Sequence, residues 1–311
     1  MEHGPPLYVV IATHERPALL RRTLDSLAEC EQPESYRATV VVENGSKAGT
    51  EEVVQAHEET LNAKYLYTDR GNKSHALNHA LEQIEEGLLY FTDDDVRVHP
   101  SVLVRFAEVA EREGRNTFFG GPTDVDYEEE PPEWMMPHLP GSATGWALGK
   151  TDEDPDQLFI GFNWAAFRSD ILSVGGFDPL YGPGSPTEAV GQETELQERL
   201  AIAGMEQTFV PGAKVWHYVP KSRCTPRWLL KRKYREGIKI GISIPDGKLT
   251  LLGIPGWLSR FSKTLGEWVG DGVTGGSPDW FGGVTDLYHH AGVLVGYWWK
   301  KYNKAGRIAD E

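Results

Sequence analysis

The sequence is poor in features that would cross-link or anchor a chain. It has only two cysteines in 311 residues, Cys30 and Cys224, which is too few for a disulfide framework or a four-cysteine zinc site and favours a reducing compartment. No apolar run reaches the ~18 residues that a membrane-spanning helix needs. Residues 1–6 lack the basic and apolar segments of a signal peptide. We therefore expect a cytoplasmic protein.

Positive charge is also scarce. The chain has 31 Lys and Arg against 46 Asp and Glu, which gives a formal net charge of −15. An acidic surface disfavours general binding to nucleic acid, and we expect no such partner. The charge is unevenly distributed, because residues 124–156 carry ten carboxylates and one lysine, whereas residues 221–239 carry eight Lys and Arg and one glutamate. The acidic stretch, with its prolines, predicts a surface excursion.

The first hundred residues alternate between short apolar runs and amphipathic segments. Continuous apolar runs are typical of strands buried on both faces of a sheet, and strand–helix–strand repetition implies parallel strands with right-handed crossovers. The predicted elements are a strand at 7–12, a helix from Pro17, a strand at 39–43, a helix at 51–61, a strand at 64–67, a helix at 74–86 and a strand at 88–92. This order predicts an α/β fold, in which ligands bind at the carboxyl ends of the strands.

Three consecutive aspartates, Asp93, Asp94 and Asp95, directly follow the last of these strands. Adjacent carboxylates repel one another, so a fold tolerates them more readily when a cation or ribose hydroxyls lie between them. Mg²⁺ and Mn²⁺ prefer oxygen ligands and bind a carboxylate together with diphosphate oxygens. The alternative is a solvated turn in which aspartate caps a helix.

Five other segments accompany the triplet in a fixed order. They are VIATHER (10–16), VVENGS (41–46), KSHALNHAL (73–81), GGFD (175–178) and GQETEL (191–196). Together with the triplet, these segments resemble the motifs of the inverting family 2 glycosyltransferases, which are nucleotide-sugar-dependent enzymes with the GT-A fold. The resemblance covers about residues 7–217.

The resemblance implies a Rossmann-like GT-A domain, with a mostly parallel central sheet flanked by helices. On this basis we expect a domain at 1–220, made of a nucleotide-binding half at 1–100 and an acceptor-binding half at 101–220. Residues 221–311 would form a helical, Trp-rich C-terminal extension, with a helix near 284–301.

The resemblance also assigns the donor site. Glu43 stands where the family has an aspartate that accepts a hydrogen bond from the base, and His217 is expected to follow a strand and complete the metal or diphosphate site. Lys73 would lie near the phosphates or the sugar, or it is a solvated lysine at a helix start. The implied donor residues are Ala12, Thr13, Arg16, Glu43, Lys73, Asn78, Asp93 and Asp94, and the implied ligands of Mn²⁺ or Mg²⁺ are Asp95 and His217.

Inversion at the anomeric carbon needs a carboxylate that removes the proton of the attacking hydroxyl. By position in the resembling motif this base is Glu193, and Gln192 replaces the family's preceding glutamate. Glu195 is the competing carboxylate. Its alternative role is that of a solvated residue in the first helical turn, where the helix dipole favours negative charge.

The function that these motifs imply is metal-dependent, inverting transfer of a sugar from a nucleoside-diphosphate sugar to a hydroxyl acceptor, which is a glycan, a lipid-linked molecule or a small molecule. A retaining GT-A enzyme would keep the triplet and His217 but need no base. A non-catalytic carbohydrate-binding or scaffold protein is the alternative outside enzymology. A nucleotidyltransferase is disfavoured, because the loop at 12–17 contains no glycine.

The basic segment and the tail leave several interpretations open. Four cations recur at helical i, i+4 spacing, and this face would be solvated, would fold over the diphosphate or would contact anionic lipid headgroups. The cations are Arg227, Lys231, Arg235 and Lys239. The aromatic tail helix would lie in a membrane interface, pack against the catalytic domain or join a second subunit in a homodimer. Residues 221–311 are thus a candidate for peripheral contact with the inner face of a membrane.

Overall fold

The computed structural model describes residues 4–146, 158–245 and 279–309. The chain divides into two compact units. Unit 1 comprises residues 1–128, 140–184 and 192–219, and unit 2 comprises residues 129–139, 185–191 and 220–311.

Unit 1 is built on a central seven-stranded sheet and a smaller three-stranded sheet. The strands are β1 (Leu7–Thr13), β2 (Tyr36–Asn44), β3 (Lys64–Thr68), β4 (Leu88–Asp93), β5 (Val96–Val98), β6 (Thr117–Gly120), β7 (Thr123–Tyr127), β8 (Trp164–Phe167), β9 (Glu206–Phe209) and β10 (Val215–Val219). The central sheet has the order β3-β2-β1-β4-β8-β6-β9, and β8 runs antiparallel to both of its neighbours while the other pairs are parallel. The mostly parallel sheet that the sequence predicts is therefore confirmed.

The helices follow the predicted order with some changes of length. In the described residues they are α1 (Pro17–Ala28), α2 (Thr50–Gln55), α3 (Glu58–Leu61), α4 (Lys73–Gln83), α5 (Val102–Glu113), α6 (Gly141–Thr144), α7 (Arg168–Ser173), α8 (Gln192–Ile202), α9 (Pro226–Ser243) and α10 (Asp279–Ala309), with short 3₁₀ helices at Glu133–His138 and Lys221–Arg223. The single helix predicted at 51–61 is two helices, because the buried His57 bonds to the Val53 carbonyl and to Asp25 at the break.

The core explains why the strands are continuously apolar. Along β1, Val9 and Ile11 belong to one buried cluster, whereas Val10 and Ala12 belong to another. Successive side chains of a strand point to opposite faces, so both faces of the sheet are covered. One cluster takes Leu20, Leu24 and Leu27 from α1, and the other takes Ala76, Leu77 and Ala80 from α4. Helices thus cover both faces of the sheet, which leaves the ends of its strands as the edge where a ligand can bind.

The acidic stretch at 124–156 is more ordered than a surface excursion. It begins within β7, which pairs with β10, and continues through the 3₁₀ helix and α6. Met135, Leu139 and Ala143 are buried. These apolar residues lie between the carboxylates at 124–133 and those at 152–156, so a charge count over the whole stretch hides them. Residues 147–157 of this stretch lie outside the described residues.

Within unit 2, α9 and α10 pack with their backbones in contact. A Cβ added at Gly237 would lie 1.9 Å from the His289 carbonyl oxygen, and one added at Gly292 would lie 2.0 Å from that of Tyr234. Gly241 and Gly296 are equally close to the opposite helix. These four glycines therefore allow the two helices to pack closely. Across the described parts of the chain, no helix is both long enough and apolar enough to cross a membrane.

Candidate functional site

The ends of three neighbouring strands bring the predicted donor residues to one edge of the central sheet. In the parallel register of β1 with β2 and β4, Thr13 pairs with Glu43 and Ala12 pairs with Asp93. Asp94 and Asp95 lie in the turn that joins β4 to β5. The α/β fold thus places residues that are far apart in sequence at the edge where ligands of such sheets bind.

Arg16 and Thr13 contact the aspartate triplet. The Thr13 hydroxyl donates a 2.6 Å hydrogen bond to Asp94, and the Arg16 guanidinium lies 3.4 Å from Asp94 and 3.3 Å from Asp95. Burial and the neighbouring charge of Asp95 raise the pKa of Asp94 to about 6, although Arg16 and Thr13 oppose this shift. Burial lowers the pKa of Arg16, but Asp94 and Asp95 outweigh it and raise that pKa overall. The loop after β1 is thereby tied to the triplet.

His217 and Asp95 lie side by side, although His217 is inside β10 and not after a strand as predicted. The His217 Nε2 atom is 3.2 Å from Asp95 Oδ1, and its Nδ1 is 2.6 Å from the Ser142 carbonyl oxygen. A carbonyl oxygen only accepts hydrogen bonds, so Nδ1 carries the proton. Nε2 is therefore the ring nitrogen that faces Asp95. The imidazole also stacks on Phe162, with ring centroids 4.5 Å apart.

This pair suits a divalent cation that is completed by other ligands. In the described residues, no three His, Cys, Asp or Glu side chains form a metal-binding group by themselves. Mg²⁺ commonly takes only one or two protein carboxylates and completes its shell with phosphates and water. Adjacent ligands of an octahedral ion at about 2.1 Å lie about 3 Å apart, which is close to the spacing between His217 and Asp95. A metal-binding histidine typically donates its other N–H to a carbonyl, as His217 does to Ser142.

Lys73 connects Glu193 to the edge of the central sheet that carries the predicted donor residues, which we call the donor edge. The Lys73 ammonium lies 2.7 Å from Glu193 Oε1 and 2.5 Å from Asp93 Oδ1, and the Gln192 amide also donates to Glu193 Oε1 at 2.7 Å. Glu193 is buried. Burial raises the pKa of the Glu193 carboxyl; Lys73 opposes this shift and Asp93 adds to it, and the pKa stays above its usual value.

Gly161 lies directly against the Glu193 carboxylate. A Cβ added at Gly161 would be 2.6 Å from the Glu193 carboxyl carbon and 2.7 Å from Oε2. The backbone at Gly161 therefore leaves just enough space for a glutamate side chain. Sequence reasoning named Gln192 only as a replacement within the motif and missed the role of Gly161, although a glycine within the apolar run 158–162 is a recognised signal for close approach to another group.

Glu195, the competing carboxylate, has a structural role. Its oxygens accept two 2.7 Å bonds from the Arg199 guanidinium, one turn along α8. Arg199 also donates to the carbonyl oxygens of Val174 and Gly176. This ion pair holds the turn at 174–176 against the helix, so Glu193 and Glu195 differ sharply in their surroundings.

Glu43 is a buried anchor for the loop that follows β2. Its carboxylate accepts bonds from the Ala48 amide at 2.8 Å, the Thr50 hydroxyl at 2.6 Å and the Tyr65 hydroxyl at 2.6 Å. Burial alone would raise the pKa of Glu43, but these hydrogen bonds outweigh it and the pKa is lowered. The Glu43 side chain, which is longer than the aspartate of the family's motif, thus has three hydrogen-bond partners within the protein.

Asn78 binds protein backbone in the structure. Its amide donates to the Phe177 carbonyl oxygen at 2.8 Å and accepts from the Phe177 amide at 2.9 Å. The paired bonds hold α4 against the GGFD turn, where Gly176 has a left-handed φ of +72°. A second such clamp, which the sequence did not reveal, joins the Asn44 amide to the Thr13 carbonyl oxygen at 2.8 Å.

The basic face of α9 belongs to unit 2 and is partly neutralised there. Arg235 forms two hydrogen bonds with Glu188, at 2.7 and 3.1 Å. On the same helix, Arg232 and Lys233 both pair with Glu236. Arg227 and Lys231 are exposed. The basic face predicted from the sequence is present on α9, but fewer of its positive charges face solvent than the number of lysines and arginines in the segment suggests.

The sequence and the fold were compared with those of known proteins. The family described as Glycosyl transferase family 2 matches residues 8–175. The chain is 29% identical to the succinoglycan biosynthesis protein ExoM of Rhizobium meliloti (strain 1021) over 232 residues, which are 73% of this chain and 71% of that protein. It is 39% identical to validoxylamine A glucosyltransferase of Streptomyces hygroscopicus subsp. limoneus over 101 residues, 32% of this chain and 22% of that enzyme.

The fold is also that of a solved glycosyltransferase. The mannosyltransferase PcManGT from Pyrobaculum calidifontis, solved in complex with GDP-Man and Mn²⁺, superposes with a TM-score of 0.62 over 96% of this chain and 89% of that one. At 20% sequence identity this likeness shows the GT-A fold. Since the family match spans more than half of the chain, the protein belongs to glycosyl transferase family 2 and is a glycosyltransferase.

Proposed function

We propose that the protein is a metal-dependent, inverting glycosyltransferase that moves a sugar from a nucleoside-diphosphate sugar to a hydroxyl acceptor. The observation that carries this proposal is the buried Glu193 carboxylate, which contacts the ammonium group of Lys73 together with Asp93, the first aspartate of the triplet. A retaining enzyme has no need of a second carboxylate held in this way. The mannosyltransferase PcManGT, solved with GDP-Man, and the succinoglycan biosynthesis protein ExoM support a nucleotide-sugar donor and a glycan acceptor.

Glu193 acts as the general base. Its Oε1 atom accepts bonds from Lys73 and Gln192, so the side chain is held in one orientation. Oε2 lies on the Gly161 side and takes the proton of the acceptor hydroxyl as its oxygen attacks the anomeric carbon. A pKa above the ordinary value makes this carboxylate a stronger base than an exposed glutamate.

Asp95 and His217 would hold the divalent cation, Mn²⁺ or Mg²⁺. In the described residues, the three carboxylates of the triplet and that of Glu193 lie close together, with Arg16 and Lys73 beside them, and a divalent ion would reduce the repulsion among these carboxylates. When bound, the ion neutralises the charge that develops on the departing diphosphate. Arg16, whose side chain is 45% exposed, supplies a second positive charge beside the phosphates.

The remaining donor contacts follow from the same edge of the sheet. Asp93 hydrogen-bonds the ribose, and the backbone of Ala12 and Thr13 lines the nucleotide. Glu43 shapes the base pocket by fixing the loop at 45–50. Its Oε1 atom accepts hydrogen bonds from Ala48 and Thr50 of that loop, and its Oε2 atom accepts one from Tyr65 on β3.

The decisive experiment combines a variant with product stereochemistry. UDP-glucose, UDP-galactose and GDP-mannose are screened with alkyl glycoside acceptors, and NMR coupling constants give the anomeric configuration of the product. We expect inversion, and we expect E193Q to lower turnover by about 10²–10⁴-fold because the general base is lost. E195Q, on the same helix, is the control and should retain activity. A product with retained configuration, or an active E193Q enzyme, would refute the proposal.

A further inference from the structure

Lys73 occupies a position that is unfavourable for a cation. It is the first residue of α4, where the helix dipole repels positive charge, and its side chain is only 15% exposed. Burying an ammonium group is costly unless carboxylates surround it. The two contacts that offset this cost are with Asp93 at 2.5 Å and Glu193 at 2.7 Å. A solvated helix-start lysine, the alternative expected from the sequence, does not describe this placement.

The two carboxylates on Lys73 belong to different parts of the reaction. Asp93 ends β4 and begins the triplet at the donor edge, whereas Glu193 is the second residue of α8 and is the proposed base for the acceptor. One ammonium group therefore contacts both the donor side and the acceptor side. The position of Lys73 is fixed further by its backbone amide, which donates to the Pro183 carbonyl oxygen at 3.0 Å.

We infer that Lys73 is a positioning residue that couples donor binding to the strength of the base. Paired with Lys73, Glu193 is held ionised and oriented but is a weaker base. A diphosphate arriving beside Asp93 attracts the same ammonium group, and this loosens the pair and strengthens Glu193 when the donor is present. The inference rests on the proposed function, because it requires Glu193 to be the base.

The charges that face Glu193 determine the direction of the expected effect. Burial and Asp93 raise the pKa of Glu193, whereas Lys73 lowers it through its charge and its hydrogen bond, and a backbone hydrogen bond at Glu193 lowers it as well. Removing the positive charge therefore raises the pKa. A base works only when deprotonated, so activity is present above this pKa and is lost as the pH falls through it. A higher pKa moves the acidic limb of the pH–rate profile to higher pH.

The test compares the charge-removing variant K73Q with the charge-preserving K73R. The measurement is kcat/KM for the acceptor against pH, at saturating donor, with whichever of UDP-glucose, UDP-galactose or GDP-mannose supports turnover. We expect the acidic limb of K73Q to move up by about one pH unit, which is a tenfold loss on that limb with recovery at higher pH. K73R should keep the wild-type limb, and so should K64M, which changes an exposed lysine on β3. An unmoved limb in K73Q refutes the inference.

A second measurement needs no turnover. The carboxyl ¹³C signal of Glu193 is titrated in the wild-type protein with and without UDP or GDP and Mg²⁺, and then in K73Q. We expect the nucleotide to raise the Glu193 pKa in the wild type and to change it little in K73Q. If the nucleotide binds and leaves the wild-type titration unchanged, the coupling is wrong even when K73Q fails to fold.

The two proposals fail in different ways. If E193Q is inactive while K73Q keeps the wild-type pH profile, the base assignment stands and the coupling is wrong. If E193Q remains active, the base assignment itself fails and the coupling fails with it.

Discussion

At the scale of single residues, the site shows how two substitutions relative to the family's pattern are accommodated. Glu193 is one methylene longer than the aspartate of the resembling motif, and the missing side chain of Gly161 provides the space for its carboxylate. Glu43 is likewise longer than the family's aspartate, and Ala48, Thr50 and Tyr65 bind its oxygens. In both places the local packing has adjusted to the added length.

We predict that G161A lowers turnover by about tenfold or more, because an added Cβ would lie 2.6 Å from the Glu193 carboxyl carbon and displace the base. Shortening the base should relieve the clash, so the double variant G161A/E193D should be more active than G161A. Steady-state kinetics of the two single variants and the double variant measure this interaction. G4A is the control, since a Cβ there would meet Glu111 only at an ordinary 3.5 Å. Strictly additive losses would contradict the prediction.

At the scale of elements, α10 presents an apolar stripe on its exposed side. Its residues are Tyr288, Val295, Trp298 and Tyr302, whose spacing keeps them on one face of the helix, and Trp298 is 43% and Tyr302 70% exposed. Lys301 lies over the Trp298 ring at 4.9 Å. Tyrosine and tryptophan beside lysine are typical of helices in a membrane interface. With the positive charge of α9, this composition favours anionic lipid, and we propose that the stripe makes peripheral membrane contact.

We expect the protein to float with vesicles of phosphatidylcholine and phosphatidylserine and to dissociate at high salt, which screens the attraction of the basic residues to the lipid. W298E should reduce flotation, because it places a charge within the stripe. I202E is the matched control, since Ile202 is 85% exposed but lies on α8 in unit 1. A wild-type protein that stays in solution would contradict the proposal. If light scattering instead shows a dimer that W298E dissociates, the stripe joins two copies of the chain.

At the scale of the whole molecule, the net charge of −15 is a poor guide to the site. Many carboxylates lie in the stretch at 124–156, far in sequence from the donor edge. In the described residues, the site brings the three aspartates of the triplet together and places His217 beside Asp95. We propose that an anionic donor binds there together with a divalent cation, which offsets the repulsion between the donor and these carboxylates.

We predict that UDP or GDP stabilises the protein against heat only in the presence of Mn²⁺ or Mg²⁺. A ligand at about 100 times its Kd contributes about 2.7 kcal/mol, which a thermal-shift measurement detects readily. EDTA should abolish the shift. D95N and H217Q should reduce it, whereas D69N, at an exposed position, should not. A full shift in EDTA, or an undiminished shift in D95N, would show that Asp95 holds no metal for the nucleotide.

Much of the fold was predictable, because it depends on local pattern. The apolar runs predicted the first four strands, and Pro17 correctly marked the start of α1. The errors arose where distant contacts override that pattern. His57 divides a predicted helix through its bond to Asp25, and β7 forms within the acidic stretch because β10 pairs with it. His217 lies within β10 for the same reason.

The sequence by itself determined the α/β fold, the family and the cluster of polar residues at the strand ends, because periodicity and motif spacing are local properties. Glu193 and Glu195 occupy the same helical turn and have the same local chemistry, so in the sequence only motif position favours Glu193 as the base. The tertiary structure gives the two side chains different surroundings, since it buries Glu193 beside Lys73 and pairs Glu195 with Arg199. The ionic surroundings of a side chain are set by residues that are distant in the sequence, and folding alone brings these together.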